Sequence, residues 1–441
     1  MLLGYYLLPP ILVLLLLVPR KYAAITFLGA AIFIPMGASI MLGPFNFFPV
    51  RLFVVTGIVR CLIRQESPGL FRAPADRLFI VFALAAVATS FFSHPDVKAA
   101  FVYHVALSLD TLGIYFLFRT WISDWDDVLR FMRATLVFLV PLAFFMVLEF
   151  ATGHNIFNYV GGIPLESALR GDRVRARGPF RHSILAGTYG AVALPFAVGL
   201  WRSNRRLAQI GIAGAVLVVL ASTSGGPVMT LGSVIVALCM WRFRARLRAI
   251  VWWGVCCLVL LHLVMKAPVW YLIARIDIGG GGWYRAKLID SAIKYLNEWW
   301  LAGSDYTRHW MPSGISWSAD AADITNEYLR FGVVGGLPLM LSFIAIVVVS
   351  YKQLCKAFQF LPEADIRRRF FVWCIGATLF GHTVTFLSMD YYDQSISISI
   401  SLFALIASGC KSIQSERSVE REPEPTSHES ALNSLAFSRS W

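Results

Sequence analysis

Nearly uninterrupted apolar runs recur along the chain, Ile11–Val18 and Val251–Leu261 among the purest. At roughly 20 residues per crossing, such runs read as membrane-spanning helices. About twelve or thirteen are predicted, centred in Tyr5–Pro19, Ala23–Met41, Phe47–Leu62, Leu78–Phe92, Phe101–Phe118, Phe131–Phe150, Ser183–Trp201, Leu207–Ala221, Pro227–Trp241, Ile250–Val264, Tyr328–Val349, Phe370–Leu387 and Ile396–Ser408. The first is short and holds Pro9-Pro10, which suits a tilted or re-entrant helix. A membrane barrel is excluded, because its strands alternate apolar and polar positions.

The polar segments orient these spans. Arg20-Lys21, Arg60 to Arg77, Arg119 to Arg133, Arg202 to Arg206, Arg242 to Arg248, Lys352 to Arg369 and the tail from Lys411 fall on one side if the spans alternate. The positive-inside rule makes that side cytoplasmic. The opposite side then holds Gly43–Phe48, Ser93–Lys98, loops of about 151–182 and 266–327, the turn Thr223–Gly226, and Asp390–Gln394. Within the longest outer loop, Gly279 to Gly282 reads as a hinge. Arg285 to Leu301 then repeats apolar residues at helical spacing (Leu288/Ile289, Ala292/Ile293, Leu296, Trp299/Trp300), with Arg285, Asp290, Lys294 and Asn297 opposite. That pattern predicts an amphipathic helix, and its terminal Trp pair suits a membrane interface. Residues 1–410 form one transmembrane unit. The tail 411–441, rich in Ser, Glu, Arg and Pro, is expected to be disordered and cytoplasmic.

Composition agrees with this division. Of 441 residues, 57% are hydrophobic and 15% charged, whereas a soluble chain carries about a quarter charged residues. The net charge of +13 is mostly loop Arg and Lys that sets topology, and no nucleic-acid-binding module is present. The seven cysteines lie in apolar segments or cytoplasmic loops, so no disulfide framework is expected. The first apolar segment ends in Val-Pro-Arg-Lys without a small-residue cleavage site, so no cleaved leader is expected.

One outer segment breaks the charge rule. Arg170, Arg173, Arg175, Arg177 and Arg181 crowd around His182 just before an apolar span. Two readings weigh here: a solvated loop on anionic headgroups, or a site for an anionic ligand such as a lipid diphosphate. Guanidinium stays charged and can hold phosphate oxygens bidentately. Fixed arginines would stabilise charge that builds on a diphosphate leaving group, without a metal. A carboxylate or His must then take a proton from the acceptor hydroxyl. Further candidates on the same side are Arg285, His309, Asp323, Asn326 and Tyr328. The Asp305–Asp323 stretch, with Trp310 and Trp317, has the polar and aromatic character on which sugar rings stack, though interfacial Trp is commoner.

Other features have plainer readings. Asp110 lies inside an apolar span and is expected to face a cavity or a partner. Arg51 could snorkel or join the anion site. Ser123-Asp124-Trp-Asp-Asp reads as a helix N-terminus rather than a metal-binding carboxylate motif. Gly335-Gly336 is expected to let a neighbouring helix approach closely. Nucleotide-binding glycine loops, HExxH and Cys/His metal constellations are absent from the sequence.

Together the outer motifs resemble those of the O-antigen ligase and O-antigen/exopolysaccharide polymerase superfamily. Arg175-Ala-Arg-Gly-Pro-Phe-Arg-His-Ser-Ile-Leu-Ala is similar to its Arg-x-x-Gly-x-Phe signature. Thr223-Ser-Gly-Gly resembles its Ser-Arg-Gly turn. Gly282-Trp-Tyr-Arg285 resembles the start of its large periplasmic loop. Asp323-Ile-Thr-Asn326-Glu-Tyr328-Leu, followed by Gly332 and Gly335-Gly336, resembles the element that closes it. The resemblance covers roughly residues 170 to 349. The chain departs from it in four ways: Thr325 stands where the family has His, Ile184 where the first motif has Asn, one residue fewer precedes Leu185, and the Ser-Arg-Gly turn lacks its Arg.

The resemblance implies an all-α polytopic, GT-C-like enzyme of the bacterial inner membrane with a periplasmic active face and no cofactor. It would polymerise undecaprenyl-diphosphate-linked repeat units, with a chain-length regulator and a flippase as partners. A ligase acting on lipid A core is the alternative. The polymerase reading is preferred because the ligase-type His is missing. Arg175 and Arg177 would contact diphosphate, and the base would be Asp323, with Glu327 and His309 as alternatives. Arg170, Arg173, Arg181, His182, Arg285, His309, Asn326 and Tyr328 would bind substrate. A flippase is the rival from another class, and it would need charges lining a mid-membrane cavity. A scaffold that has lost activity is a third reading.

Overall fold

The computed structural model describes residues 3–37, 39–42, 45–67, 73–92, 96–276, 281–316 and 318–421. Gly279 and Gly280 of the expected hinge, Trp317, and the tail beyond Arg421 lie outside the described residues. What is described is nearly all α-helix, and every apolar segment expected to span contains a helix, although the helix of the second, Ala23–Met41, ends at Phe33 and a strand begins at Ile40. The helices are α1 (Leu3–Leu17), α2 (Arg20–Phe33), α3 (Pro49–Arg64), α4 (Pro74–Thr89), α5 (Val97–Trp121), α6 (Trp125–Thr152), α7 (Ser183–Leu200), α8 (Arg205–Ala221) and α9 (Gly225–Cys239). They continue as α10 (Leu247–Val264), α11 (Leu272–Ile276), α12 (Gly282–Lys294), α13 (Leu296–Trp299), α14 (Glu327–Phe360), α15 (Ile366–Phe386) and α16 (Gln394–Arg421). Six helical stretches among the described residues are long and apolar enough to cross a membrane: Val97–Trp121, Trp125–Thr152, Ser183–Leu200, Gly225–Val264, Glu327–Phe360 and Gln394–Glu416. Strands occur as two short antiparallel hairpins, Ile40–Leu42 with Phe45–Phe47 and Leu169–Arg170 with Arg173–Val174.

One helix is buried on nearly all its faces. α7 packs against α6, α8, α9 and α15. Its glycines allow this: a Cβ on Gly190 would lie 2.8 Å from Val218, and one on Gly187 2.6 Å from Pro227 and Ser222. Small residues at helix interfaces bring backbones close where lipid offers no hydrophobic drive. The other half of the bundle joins α4, α5, α14 and α16. α10 is the exception. It has no buried residue, and its contacts are with the 3-10 turns that flank it.

Local capping follows the sequence. Asp124 caps α6 by accepting from the Asp127 N–H at 2.8 Å, so the Asp124–Asp127 acids serve the helix terminus. Asp110 does have a partner: Arg51 donates to both its oxygens, at 3.0 and 2.7 Å. That settles Arg51 as the counter-ion of Asp110 rather than a member of the arginine cluster.

The amphipathic segment forms a small satellite core. Leu288, Ala292, Trp299, Trp310, Met311 and Ala322 are buried together. The helix expected over Arg285–Leu301 is broken at Tyr295 into α12 and α13. The Trp pair divides: Trp300 is exposed, but Trp299 is buried and donates from Nε1 to the Ala292 carbonyl at 2.9 Å. Trp299 is therefore a core residue of the satellite and not an interfacial anchor. α16 also differs from expectation, remaining helical through Arg421, into the segment expected to be disordered.

α14 is interrupted at Gly335 (φ −145°, ψ 26°) and Gly336 (φ 69°, ψ −170°). An interruption frees backbone groups that must find partners, especially at membrane depth. Each is met. The Val333 carbonyl accepts from the Ser304 N–H at 2.9 Å, and the Leu337 N–H donates to the Trp300 carbonyl at 2.7 Å. His104 Nε2 lies 3.0 Å from the Val334 carbonyl. The glycine pair does admit a close neighbour, the backbone of Leu301 and Ala302. A Cβ on Gly336 would sit 2.5 Å from the Leu301 carbonyl and 2.7 Å from the Ala302 nitrogen. We therefore expect Gly336→Ala to destabilise by about 3 kcal/mol or more, from positive φ plus a backbone clash. Gly232→Ala on α9, where a Cβ meets nothing within 4 Å, serves as the control. Thermal unfolding in detergent checks it, and equal midpoints for the two variants would refute the account of the break.

Candidate functional site

The arginine segment is held by buried polar side chains beneath its backbone, one accepting and two donating. α6 ends at Gly153 (φ 74°), and Glu149 in its last turn is 2% exposed. Glu149 Oε2 accepts from the N–H groups of Arg177 and Gly178 at 3.0 and 2.7 Å, and Oε1 accepts from Ser167 Oγ at 2.7 Å. Asn155 Nδ2 donates to the Gly178 carbonyl, and Gln394 Nε2 donates to the Pro179 carbonyl, both at 2.8 Å. Ala176 and Phe180 are fully buried, and the Ala176 N–H donates to the Ala221 carbonyl at 3.1 Å. The buried Ala176 separates Arg175 from Arg177 on a fixed platform. Gly178 supplies its bend at φ 55°, with Leu142 and Met146 a little over 3 Å from where a Cβ would stand.

This platform meets the second motif directly. In the turn between α8 and α9, Thr223 takes φ 45° and donates from Oγ1 to the Val174 carbonyl at 2.7 Å. Arg175 Nη2 donates to Ser224 Oγ at 3.0 Å, and Ser183 Oγ lies 3.2 Å from the same oxygen. Burial, then the like charges of Arg170 and Arg177, push the Arg175 guanidinium below its ordinary value. The Nε atoms of Arg175 and Arg177 are buried without a hydrogen-bond partner. A buried, unsatisfied cationic donor is costly, and it is what an anion site holds in readiness.

The other members of the cluster divide. His182 caps α7 through Nδ1, which accepts from the Ile184 N–H at 3.2 Å. Burial first, then Arg175 and Arg177, drive its imidazole down to about 4. It is therefore neutral near pH 7 and adds no positive charge. Arg181 forms an ion pair with Asp393, 3.0 Å from Nε to Oδ2. Arg170 and Arg173 face each other across the exposed hairpin. Arg170 lies within electrostatic reach of Arg175.

The second group of expected residues surrounds the entry to α14. Asn326 is the cap: Oδ1 accepts from the Leu329 N–H at 3.0 Å, and Nδ2 donates to the Leu387 carbonyl at 3.2 Å. Both ends of that amide are thus structural. The Tyr328 hydroxyl reaches the Thr383 carbonyl at 3.4 Å, and its ring packs with Phe343 and Phe386. Arg285 Nε donates to the Ser388 carbonyl at 2.8 Å. The Tyr284 hydroxyl bonds the backbone of Asp323. Burial raises the Asp323 carboxyl, and Arg285 partly offsets this. His309 is engaged elsewhere, 3.0 Å from Glu298 and stacked on Tyr306 within the satellite.

What joins the two groups is the connection between α15 and α16, whose carboxylates sequence reasoning did not single out. Arg181 reaches Asp393, Arg285 reaches Ser388, and Asn326 reaches Leu387. The Tyr391 N–H donates to Glu327 Oε2 at 2.8 Å, and Glu327 holds Arg330 bidentately at 2.7 Å. Asp390 is pushed up to about 7, by burial first and then by Glu327, while Arg330 pulls it back. Asp323, Asp390, Asp393 and Arg181 all lie within electrostatic reach of Tyr392. A short acidic segment, Asp-Tyr-Tyr-Asp, in an otherwise apolar region was the available signal. Among the described residues no group of His, Cys, Asp or Glu is arranged to hold a metal ion.

Fold and site together define a nearly all-α chain with six helical stretches able to span a membrane and a basic platform beside a carboxylate group at one end of the bundle. No family model matches the chain, and no curated protein matches it.

The clamp under the arginines makes a direct expectation. Glu149→Gln replaces a charged acceptor by a neutral amide, whose oxygen meets the two buried N–H groups with weaker bonds while its NH2 is left facing Ser167 Oγ. We expect a loss of about 2–3 kcal/mol, read as a lower thermal midpoint of the solubilised protein. An unchanged midpoint would show that the platform does not depend on this residue.

Proposed function

We propose that the protein is a metal-independent glycosyltransferase acting on lipid-diphosphate-linked oligosaccharides. In this reading the shorter apolar helices also span, about twelve or thirteen in all. The protein is then multi-pass in a bacterial inner membrane, with the arginine platform facing the periplasm. It polymerises undecaprenyl-diphosphate-linked repeat units into exopolysaccharide or O-antigen. The observation that carries the reading is the pair Arg175 and Arg177, held from below by Glu149 with buried Nε donors unpartnered. The carboxylates of the α15–α16 connection stand linked to that platform through Arg181.

The chemistry balances with these groups alone. An acceptor sugar hydroxyl attacks the anomeric carbon of the donor. The new C–O bond forms as the bond from that carbon to the diphosphate oxygen breaks. The electron pair leaves with the lipid diphosphate, where Arg175 and Arg177 stabilise the growing charge. The hydroxyl proton passes to a carboxylate. Asp323 and Asp390 are the two candidates, and Asp390 fits better because a base works best with an affinity near ambient pH.

Arg175→Ala should lower polymer by about 100-fold or more while the protein remains inserted, and wild-type polymer from a normally expressed variant would sink the diphosphate site. If Asp390 is the base, its ionised form is the active one, so turnover rises as pH increases through about 7. Asp390→Asn should abolish turnover and that rise together; a variant with the wild-type pH profile would remove Asp390 from the mechanism. Loss of the gene should leave single repeat units on the lipid diphosphate at the outer face. Long polymer on that lipid would indicate a ligase instead, and units trapped facing the cytoplasm a flippase.

A further inference from the structure

A second basic surface lies at the far end of α9 from Ser224, about 22 Å away at the helical rise. The chemistry above makes no use of it. α9 runs into the 3-10 turn Met240–Arg246 and then α10. This stretch carries Arg242, Arg244, Arg246 and Arg248, and no Asp or Glu occurs between Met240 and Met265. Among the described residues, none of these four arginines forms an ion pair.

Four aromatic rings pack where the turn meets the end of α14 and the start of α15. The Trp241 ring lies 5.1 Å from Phe370, 5.6 Å from Trp373 and 6.1 Å from Phe358. Trp373 Nε1 donates to the Ala237 carbonyl at 2.9 Å, which fixes this wall to α9. Arg244 sits over the Trp241 ring at 4.5 Å, and Arg369 sits over the Phe358 ring at 4.3 Å. Arg369 Nε is buried without a hydrogen-bond partner. Stacking of this kind orients a guanidinium while leaving its edge free for an anion. From the same corner, α10 continues with no buried residue, and α9 exposes Ile235 and Val236.

We propose that this corner binds the headgroup of an anionic phospholipid, with its acyl chains lying on the exposed apolar faces of α9 and α10. Ring-mounted guanidiniums supply the phosphate contacts, and basic pockets between spanning helices take anionic headgroups. The apolar faces that begin at the arginines distinguish a lipid from a free phosphate, which would have no use for them. This site is independent of the glycosyltransferase reading, since it shares no residue with the platform at the other end.

The test is native mass spectrometry of the full chain in detergent, titrated with dioleoylphosphatidylglycerol or dioleoylphosphatidylcholine. The anionic lipid should bind at a concentration at least tenfold lower. Arg244→Gln should weaken it about fivefold, and Arg244→Gln with Arg369→Gln by about fivefold again. Arg244 is exposed, so the single variant decides the matter if the double variant does not fold. Equal retention of the two lipids, or unchanged affinity in Arg244→Gln, would overturn the proposal. Displacement of the lipid by millimolar inorganic phosphate would overturn it too, by making the corner a site for free anions.

Discussion

The carboxylate of Glu149 directs its acceptors at backbone amides and leaves the neighbouring guanidinium groups alone. That choice governs the whole basic platform. A buried acid lying against Arg175 or Arg177 would neutralise them and close the site. Placed beneath the chain, it fixes their spacing while their charge remains available. The cost is a cluster of like charges that repel one another; burial first, and that repulsion second, depress the proton affinities of Arg175 and His182. A neutral His182 lessens that repulsion, and its lone pair still caps α7.

The α15–α16 connection then brings negative charge to the platform at Arg181 while, among the described residues, Arg175 and Arg177 form no ion pair. Asp393 takes Arg181, the last of the cluster in sequence, and Glu327 takes Arg330 in the first turn of α14. Asp390 keeps its proton affinity high because it is buried beside Glu327. Basic and acidic groups are thus linked through one short segment. Backbone contacts from Ser388 and Leu387 secure the arrangement to Arg285 and Asn326.

Much of this was legible in the chain. Continuous apolar runs located the helices, since hydropathy is local, but α2 stops at Phe33, short of Met41, while α14 and α16 run on past Val349 and Ser408 to Phe360 and Arg421. Arg175 and the Thr223 turn, separate in sequence, do meet through Ser224. Gly335-Gly336 did mark a close approach, but by the Leu301–Ala302 turn and not a helix, and the break in α14 there was not foreseen. The misses share a physical origin. Glu149, Asp390 and Asp393 read as ordinary polar residues at helix ends, because their roles depend on which distant loop arrives beside them. Asn326 and Tyr328 fit a substrate-binding pattern but are occupied by capping and packing. Trp299 turned inward because the apolar face it shares with Leu288 and Ala292 packs on Trp310 and Met311 in the satellite's own core. His309 is absorbed by Glu298, a neighbour one satellite element away.

The interruption of α14 also has a mechanical meaning. The turns before Gly335 are bonded to the satellite through Ser304 and to α5 through His104, while the helix beyond Leu337 belongs to the bundle. Three elements therefore share one joint, tied by the bonds of Ser304, His104 and Leu337. A push on the satellite would strain those bonds before it could swing the helix about the glycines. The satellite's position is thus set by the same bonds that bridge the broken helix.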